Sequence, residues 1–171
     1  MIKLSNALTV VWENIKLQLS GETAYIPVLR GKPGIGKSTL LKELARKLGM
    51  NLYYMSGAKP LEYFSGLPET SEGETFWTVP ELVARANRLS MERDTLIFID
   101  DVHIMDSQVQ KYFFEFALER QLHNHRLNRN IAIVAAMNES AASGFEGFFA
   151  AVLNRFMFLN VYMDFEDWYL E

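Results

Sequence analysis

The chain of 171 residues is 49% hydrophobic and 22% charged, values that fit one folded α/β domain with a real core and exclude a disordered or fibrous polypeptide. A formal charge of -4 is too mild for broad electrostatic attachment to nucleic acid, and the lack of cysteine excludes disulfides and thiolate metal sites. No apolar run reaches the length of a membrane span and the first residues lack a signal core, so the expectation is a single cytoplasmic domain over 1–171 with no membrane partner.

Within the first 20 residues, Leu8, Val11, Trp12, Ile15 and Leu19 recur at helical spacing and predict an N-terminal helix with these side chains on its inner face. Residues 24–29 form a short apolar run that predicts a buried strand, although Pro27 cannot donate to a sheet ladder. A helix is expected over 38–48, with Leu40, Leu41, Leu44 and Leu48 as its stripe and Gly49 as its stop. Residues 52–55 read as a second strand. From 56 to 79, Gly57, Pro60, Gly66, Pro68 and Gly73 interrupt any periodicity, which predicts a long loop. A helix follows over 80–89, then the β-favouring run 95–99 ending in Asp100 and Asp101, then a helix over 107–120 capped by Asp106 or Ser107. The polar stretch 121–130 reads as a hairpin or loop, and strands are expected at 131–136 and 156–161. Apolar strands alternating with helices imply a parallel sheet covered by helices on both faces.

Gly31, Lys32, Pro33, Gly34, Ile35, Gly36, Lys37 and Ser38 match Gly-x-x-x-x-Gly-Lys-Ser between a strand and a helix, the context that a phosphate-binding loop requires. Glycines let successive N–H groups curl around phosphate oxygens, and the helix beginning near Lys37, Ser38 and Thr39 points its positive end at the same place. The pattern predicts a P-loop NTPase in which Lys37 reaches the β- and γ-phosphates of ATP and the Ser38 hydroxyl ligates Mg2+. A carboxylate at the end of a neighbouring buried strand completes such a metal site, and Asp100 is placed for it. Asp101, one residue on, is a candidate base for the attacking water or part of a solvated acidic turn. No Asn-Lys-x-Asp segment for guanine occurs, so adenine is the expected base.

Taken together these segments resemble the AAA+ ATPases, and among them the MoxR-like branch. Residues 96–101 look like that family's Walker B strand, with Asp-Asp in place of the usual Asp-Glu, and residues 108–120 look like the following helix that commonly ends in Glu-Arg. Residues 133–138 are similar to the strand ending in the sensor asparagine, here Asn138, and Leu153, Asn154, Arg155 and Phe156 look like its Leu-Asp-Arg-Phe segment. The resemblance implies catalytic roles for Lys37, Asp101, Asn138 and Arg155, the last as a finger onto a neighbouring subunit. Read by themselves, Asn138 could cap a turn and Arg155 could be an ordinary surface residue. The resemblance also implies a homo-oligomeric ring, a hexamer being one candidate, in which the 59–76 loop faces a central pore or remains a surface loop. Residues 162–171 would begin the family's helical lid, which the chain does not continue. The function implied is hydrolysis of ATP to ADP to remodel a protein or nucleic-acid client, slowed where aspartate replaces glutamate. A nucleotide-gated binding module and a small P-loop kinase are the alternatives.

Overall fold

A computed structural model describes residues 1–22, 25–139 and 155–163. Residues 140–154 and 164–171 lie outside it, and with them Leu153, Asn154 and all of the 162–171 segment read as the beginning of a lid except Tyr162, which ends the last strand, and Met163. Along the chain run β1 (Ile2–Lys3), α1 (Leu4–Ser20), β2 (Ile26–Gly31), α2 (Lys37–Lys47), β3 (Asn51–Ser56) and α3 (Leu61–Ser65). The hairpin β4 (Pro68–Ser71) and β5 (Glu74–Trp77) comes next, then α4 (Glu81–Ser90), β6 (Thr95–Asp100) and α5 (Ser107–Glu119). A small second hairpin, β7 (Gln121–Leu122) with β8 (His125–Arg126), leads to β9 (Ile131–Asn138), and β10 (Phe156–Tyr162) is last.

Among the described residues, six parallel strands form one sheet in the order β1-β10-β2-β9-β6-β3. Because side chains alternate across a strand, each apolar run supplies two cores at once. Leu96 and Phe98 of β6, with Ala132, Val134 and Ala136 of β9, pack beneath α1 and α2. Ile97 and Ile99, with Ile131, Ile133, Ala135 and Met137, face α3, α4 and α5 on the other side. The expected parallel sheet with helices on both faces, the P-loop NTPase fold, is therefore what the chain adopts. Asp106 caps α5 by accepting hydrogen bonds from the N–H groups of Gln108 and Val109.

Two expectations need correction. The 56–79 segment is not a structureless loop: it holds α3 and the β4–β5 hairpin, whose two-residue turn sets Glu72 and Gly73 at φ of 55° and 84°. Both residues in the left-handed region give the turn whose twist suits a tight hairpin. The inner face of α1 is also turned relative to the predicted stripe. Its buried residues are Leu4, Ala7, Val11, Asn14, Ile15 and Gln18, while Leu8 and Leu19 are only partly buried and Trp12 is 44% exposed.

The reason for the turned face is a polar one. Gln18 points into the sheet, where its side-chain amide accepts from the N–H of Ile133 at 2.8 Å and donates to the Ile133 carbonyl at 3.0 Å. A third bond, donated by the amide nitrogen to Asn14 Oδ1 at 2.9 Å, fixes the amide. The β2–β9 ladder begins only at Val28 opposite Ala135, so below that point Gln18 does for β9 what a neighbouring strand would do. Gln18→Leu keeps the volume but strands two buried backbone groups, and we expect it to cost roughly 1–3 kcal/mol. Urea unfolding of the two forms checks this, and coincident midpoints would remove the strand-substitute role.

Candidate nucleotide site

Strands β2, β9 and β6 are neighbours, and the chemistry-bearing residues sit at or just past their carboxyl ends, where open α/β sheets bind ligands. Gly31 closes β2 and lies in register with Asn138 at the end of β9, while Asp100 closes β6. Gly34 and Gly36 take φ of 78° and 91°, a conformation that costs glycine nothing, and Gly36 delivers the chain into α2 with open space where a side chain would stand. Gly31 is required for a different reason. A Cβ there would sit 2.7 Å from the Val161 carbonyl of the β10 strand beyond.

Lys37, the first residue of α2, is only 6% exposed, and its ammonium is satisfied by oxygen atoms gathered at the strand ends. It donates to the carbonyls of Gly31 at 3.0 Å and Lys32 at 2.9 Å, and to Asn138 Oδ1 at 3.3 Å. Burial holds its pKa below the usual lysine value, and the nearby carboxylates of Asp100 and Asp101 oppose that shift. Next to it, Ser38 donates a 2.5 Å hydrogen bond to Asp100 Oδ2. The other Asp100 oxygen accepts the Asp101 N–H at 3.0 Å. Serine hydroxyl and carboxylate, both oxygen donors and already in contact, are the kind of pair that suits a hard cation such as Mg2+.

Asp101 adopts φ 52° and ψ 42°, a left-handed conformation to which aspartate is better suited than most residues. Asn138 Nδ2 is 3.4 Å from Asp101 Oδ1, so the asparagine touches the lysine with one end of its amide and the carboxylate with the other. Of the predicted site residues, Lys37, Ser38, Asp100, Asp101 and Asn138 thus converge. Lys32, Pro33, Gly34 and Thr39 are exposed on the loop and first helical turn, with Ile35 and Gly36 half-buried between them. Arg155 does not join them. It precedes Phe156, which pairs with Ile26 at the far end of β2, so it stands roughly 20 Å along the sheet from Gly31 by strand rise.

Three neighbours of the site escape a reading of the sequence. Tyr54 on β3 brings its hydroxyl to 3.4 Å from Asp100 Oδ2, and its pKa is raised by burial and then by the Asp100 charge. His103 Nδ1 lies 3.5 Å from the Asn138 N–H and 3.9 Å from Asp101 Oδ1. Gly57, just after β3, passes so close to Asp101 that a Cβ would meet the Asp101 carbonyl at 2.4 Å. Adjacency of β3 and β6 causes the first and third contacts, and no local pattern announces which strands adjoin. A cleft of about 870 Å³ opens beside the loop between α1 and α2, lined by Leu4, Leu8, Trp12, Gly34, Gly36, Thr39, Leu40 and Lys47 among others.

Residues 27–158 match the family model described as ATPase family associated with various cellular activities (AAA). The chain belongs to the AAA family of ATPases. Among curated relatives it is similar to the bovine (Bos taurus) ATPase family gene 2 protein homolog B, 35% identical over 80 residues that make up 44% of this chain and 9% of that protein. It is also similar to the Holliday junction branch migration complex subunit RuvB of Salinibacter ruber, 29% identical over 97 residues, 55% of this chain and 22% of that one. The AAA chain described here therefore aligns with only a fraction of either relative's length. Among solved structures, the RuvB Holliday junction branch migration motor of Thermotoga maritima superposes with a TM-score of 0.57 at 18% identity, covering 94% of this chain and 45% of that one. A mutant form of the same protein gives 0.61 at 21% identity, covering 96% and 47%. At such identity the likeness is one of fold, and it agrees with the sheet order and loop found here. Among the described residues no helix is long and apolar enough to cross a membrane.

Proposed function

We propose that this chain is the ATP- and Mg2+-binding core of a ring-forming AAA+ remodelling ATPase of the MoxR-like kind, working in the cytoplasm on a macromolecular client. One observation carries the reading: Lys37, Ser38, Asp100, Asp101 and Asn138, drawn from two strand ends and one helix start, are already joined by contacts. Lys37 would exchange its loop carbonyls for the β- and γ-phosphates of ATP, with glycine-loop N–H groups and the α2 terminus around them. Ser38 and Asp100 would hold the magnesium ion, which when bound neutralises phosphate charge. Asp101 would accept the proton of the attacking water, and Asn138, bonded to its carboxylate, would keep that oxygen aimed. The apolar cleft beside Thr39 and Leu40 has room for a nucleobase. Arg155, exposed at the opposite end of β10, is out of reach of its own loop, which favours a role on a neighbour's ATP in a ring.

The alternative of a nucleotide-gated binding module is favoured by the aspartate at position 101, whose carboxylate reaches roughly 1–1.5 Å less far than glutamate's. Asp101→Glu separates the two. In an active ATPase limited by reach, single-turnover hydrolysis at saturating ATP rises about tenfold, equivalent to about 1.4 kcal/mol, with ATP affinity nearly unchanged. A slower variant would show that Asp101 is already well placed or serves another purpose.

Lys37→Ala should abolish tight binding of ATP, and the pH dependence of binding in the parent protein identifies the same residue. Lysine in the free protein titrates below its ordinary value. Bound phosphates would stabilise its charged form and raise the pKa again, so as pH climbs through the free-state value binding takes up a proton and affinity falls. Calorimetry in alkaline buffers of different ionisation enthalpy measures that uptake. Unchanged affinity in Lys37→Ala would end the nucleotide assignment.

A further inference from the structure

Backbone N–H groups along a central strand point alternately to its two neighbours, so one known direction fixes the rest. On β9, Ile133 lies opposite Ile97 of β6 yet turns its N–H to the β2 side, where Gln18 accepts it. Counting in alternation from Ile133, Asn138 turns its N–H to the β6 side. Straight continuation of the β6–β9 ladder past Ile99 and Ala135 would give that N–H the Asp101 carbonyl, and would give the Asp101 N–H the Ala136 carbonyl. The chain diverts both Asp101 groups. Its turn into φ 52° hands the Asp101 N–H to Asp100 Oδ1 at 3.0 Å, and its carbonyl accepts the Ile104 N–H at 3.0 Å.

What meets the Asn138 N–H instead is a side chain, His103 Nδ1 at 3.5 Å. His103 lies in the single 3₁₀ turn Val102–Ile104 that follows Asp101, and its side chain is 12% exposed. A ring nitrogen that accepts carries no proton, so the imidazole proton sits on Nε2. The same Nδ1 is 3.9 Å from Asp101 Oδ1 and, as an acceptor, offers that carboxylate no hydrogen bond. Asp101 Oδ1 is therefore left to Asn138 Nδ2 at 3.4 Å, while Asn138 Oδ1 accepts from Lys37 at 3.3 Å. Among the described residues, the polar contacts of the imidazole run to Asn138 and Asp101 and none to the phosphate loop.

We infer that His103 is a positioning residue for hydrolysis, a substitute for the missing ladder bond that holds the Asn138 main chain beside the Asp101 turn. With the main chain fixed, the Asn138 amide can span Lys37 and Asp101. That role rests on the proposed hydrolysis at Asp101. It acts on rate and not on affinity: a shift of Asn138 by about 1 Å would misaim the Asp101 carboxylate, and misplacement of that size can slow chemistry about a hundredfold. The glycine loop, Ser38 and Asp100 would keep their places, so ground-state binding of ATP should hardly change.

Two variants of the full chain test this by single-turnover hydrolysis at saturating ATP with Mg2+, alongside ATP affinity by calorimetry. His103→Phe keeps a ring of similar shape without an acceptor, and His103→Asn restores an acceptor oxygen at the place of Nδ1. The phenylalanine form should hydrolyse at least about tenfold more slowly with affinity within about twofold of the parent, and the asparagine form should recover to within about threefold of the parent rate. Amide hydrogen exchange without nucleotide gives the second readout: the Asn138 N–H should exchange faster in His103→Phe and at the parental rate in His103→Asn, with strand amides elsewhere unchanged. A phenylalanine form as fast as an active parent overturns the inference alone. So does an asparagine form as slow as the phenylalanine form, or a loss of affinity that matches the loss of rate. A parent chain that binds ATP and hydrolyses none overturns the hydrolytic reading itself, and the role of His103 falls with it.

Discussion

An ammonium group almost cut off from water must be met by oxygen atoms, and the arrangement around Lys37 follows from that need. Gly31 and Lys32 supply main-chain carbonyls and Asn138 a side-chain one, so the cation ties the loop after β2 to the end of β9. Carboxylates of Asp100 and Asp101 at the end of β6 offset part of the cost of burying the charge. The constraint explains why β9 must lie between β2 and β6. Any other order would separate the asparagine from the lysine or the lysine from the aspartates. It also explains the close backbone contacts around the site, since Gly31 and Gly57 admit β10 and the Asp101 turn at distances no side chain would allow.

A buried cation whose present partners are mostly weak carbonyl acceptors is poised for exchange with a stronger anion. Phosphate oxygens provide one, and the α2 terminus adds its dipole in the same direction. The Ser38 to Asp100 contact has the same character, two oxygen atoms holding each other where a small hard cation could take both. Binding and preorganisation are thus one property here. The aspartates face the loop from β6, and Asn138 joins the two sides, so movement of any strand end relative to the others would be felt at the lysine.

Much of this was legible in the residues. The phosphate loop, the acidic pair after a buried strand and the asparagine after another were readable because each is a local pattern on a strand whose continuous apolar run marks it as buried on both faces. The convergence of Lys37 with Asn138 was not local, because it depends on which strands adjoin, and sequence order says little about that. The α1 face was misread by about one residue because Gln18 and Asn14, polar by type, are buried to bond Ile133, and a hydrophobic stripe cannot register a buried amide. The β4–β5 hairpin went unseen for the opposite reason. None of its residues is buried in a core, so it leaves no apolar alternation, and only the Glu72 and Gly73 turn hints at it.

Arg155 at one end of the sheet and the phosphate loop at the other give the domain two chemically distinct poles. The strand-end cluster itself can be examined without mutation, by amide hydrogen exchange with and without ATP and Mg2+. Binding at this site should slow exchange over residues 31–39 and at Asp100, Asp101 and Asn138 together, because one ligand would join all three strand ends. Unchanged exchange at those positions under saturating ATP, or protection confined to a different face of the domain, would contradict a nucleotide site centred on Lys37.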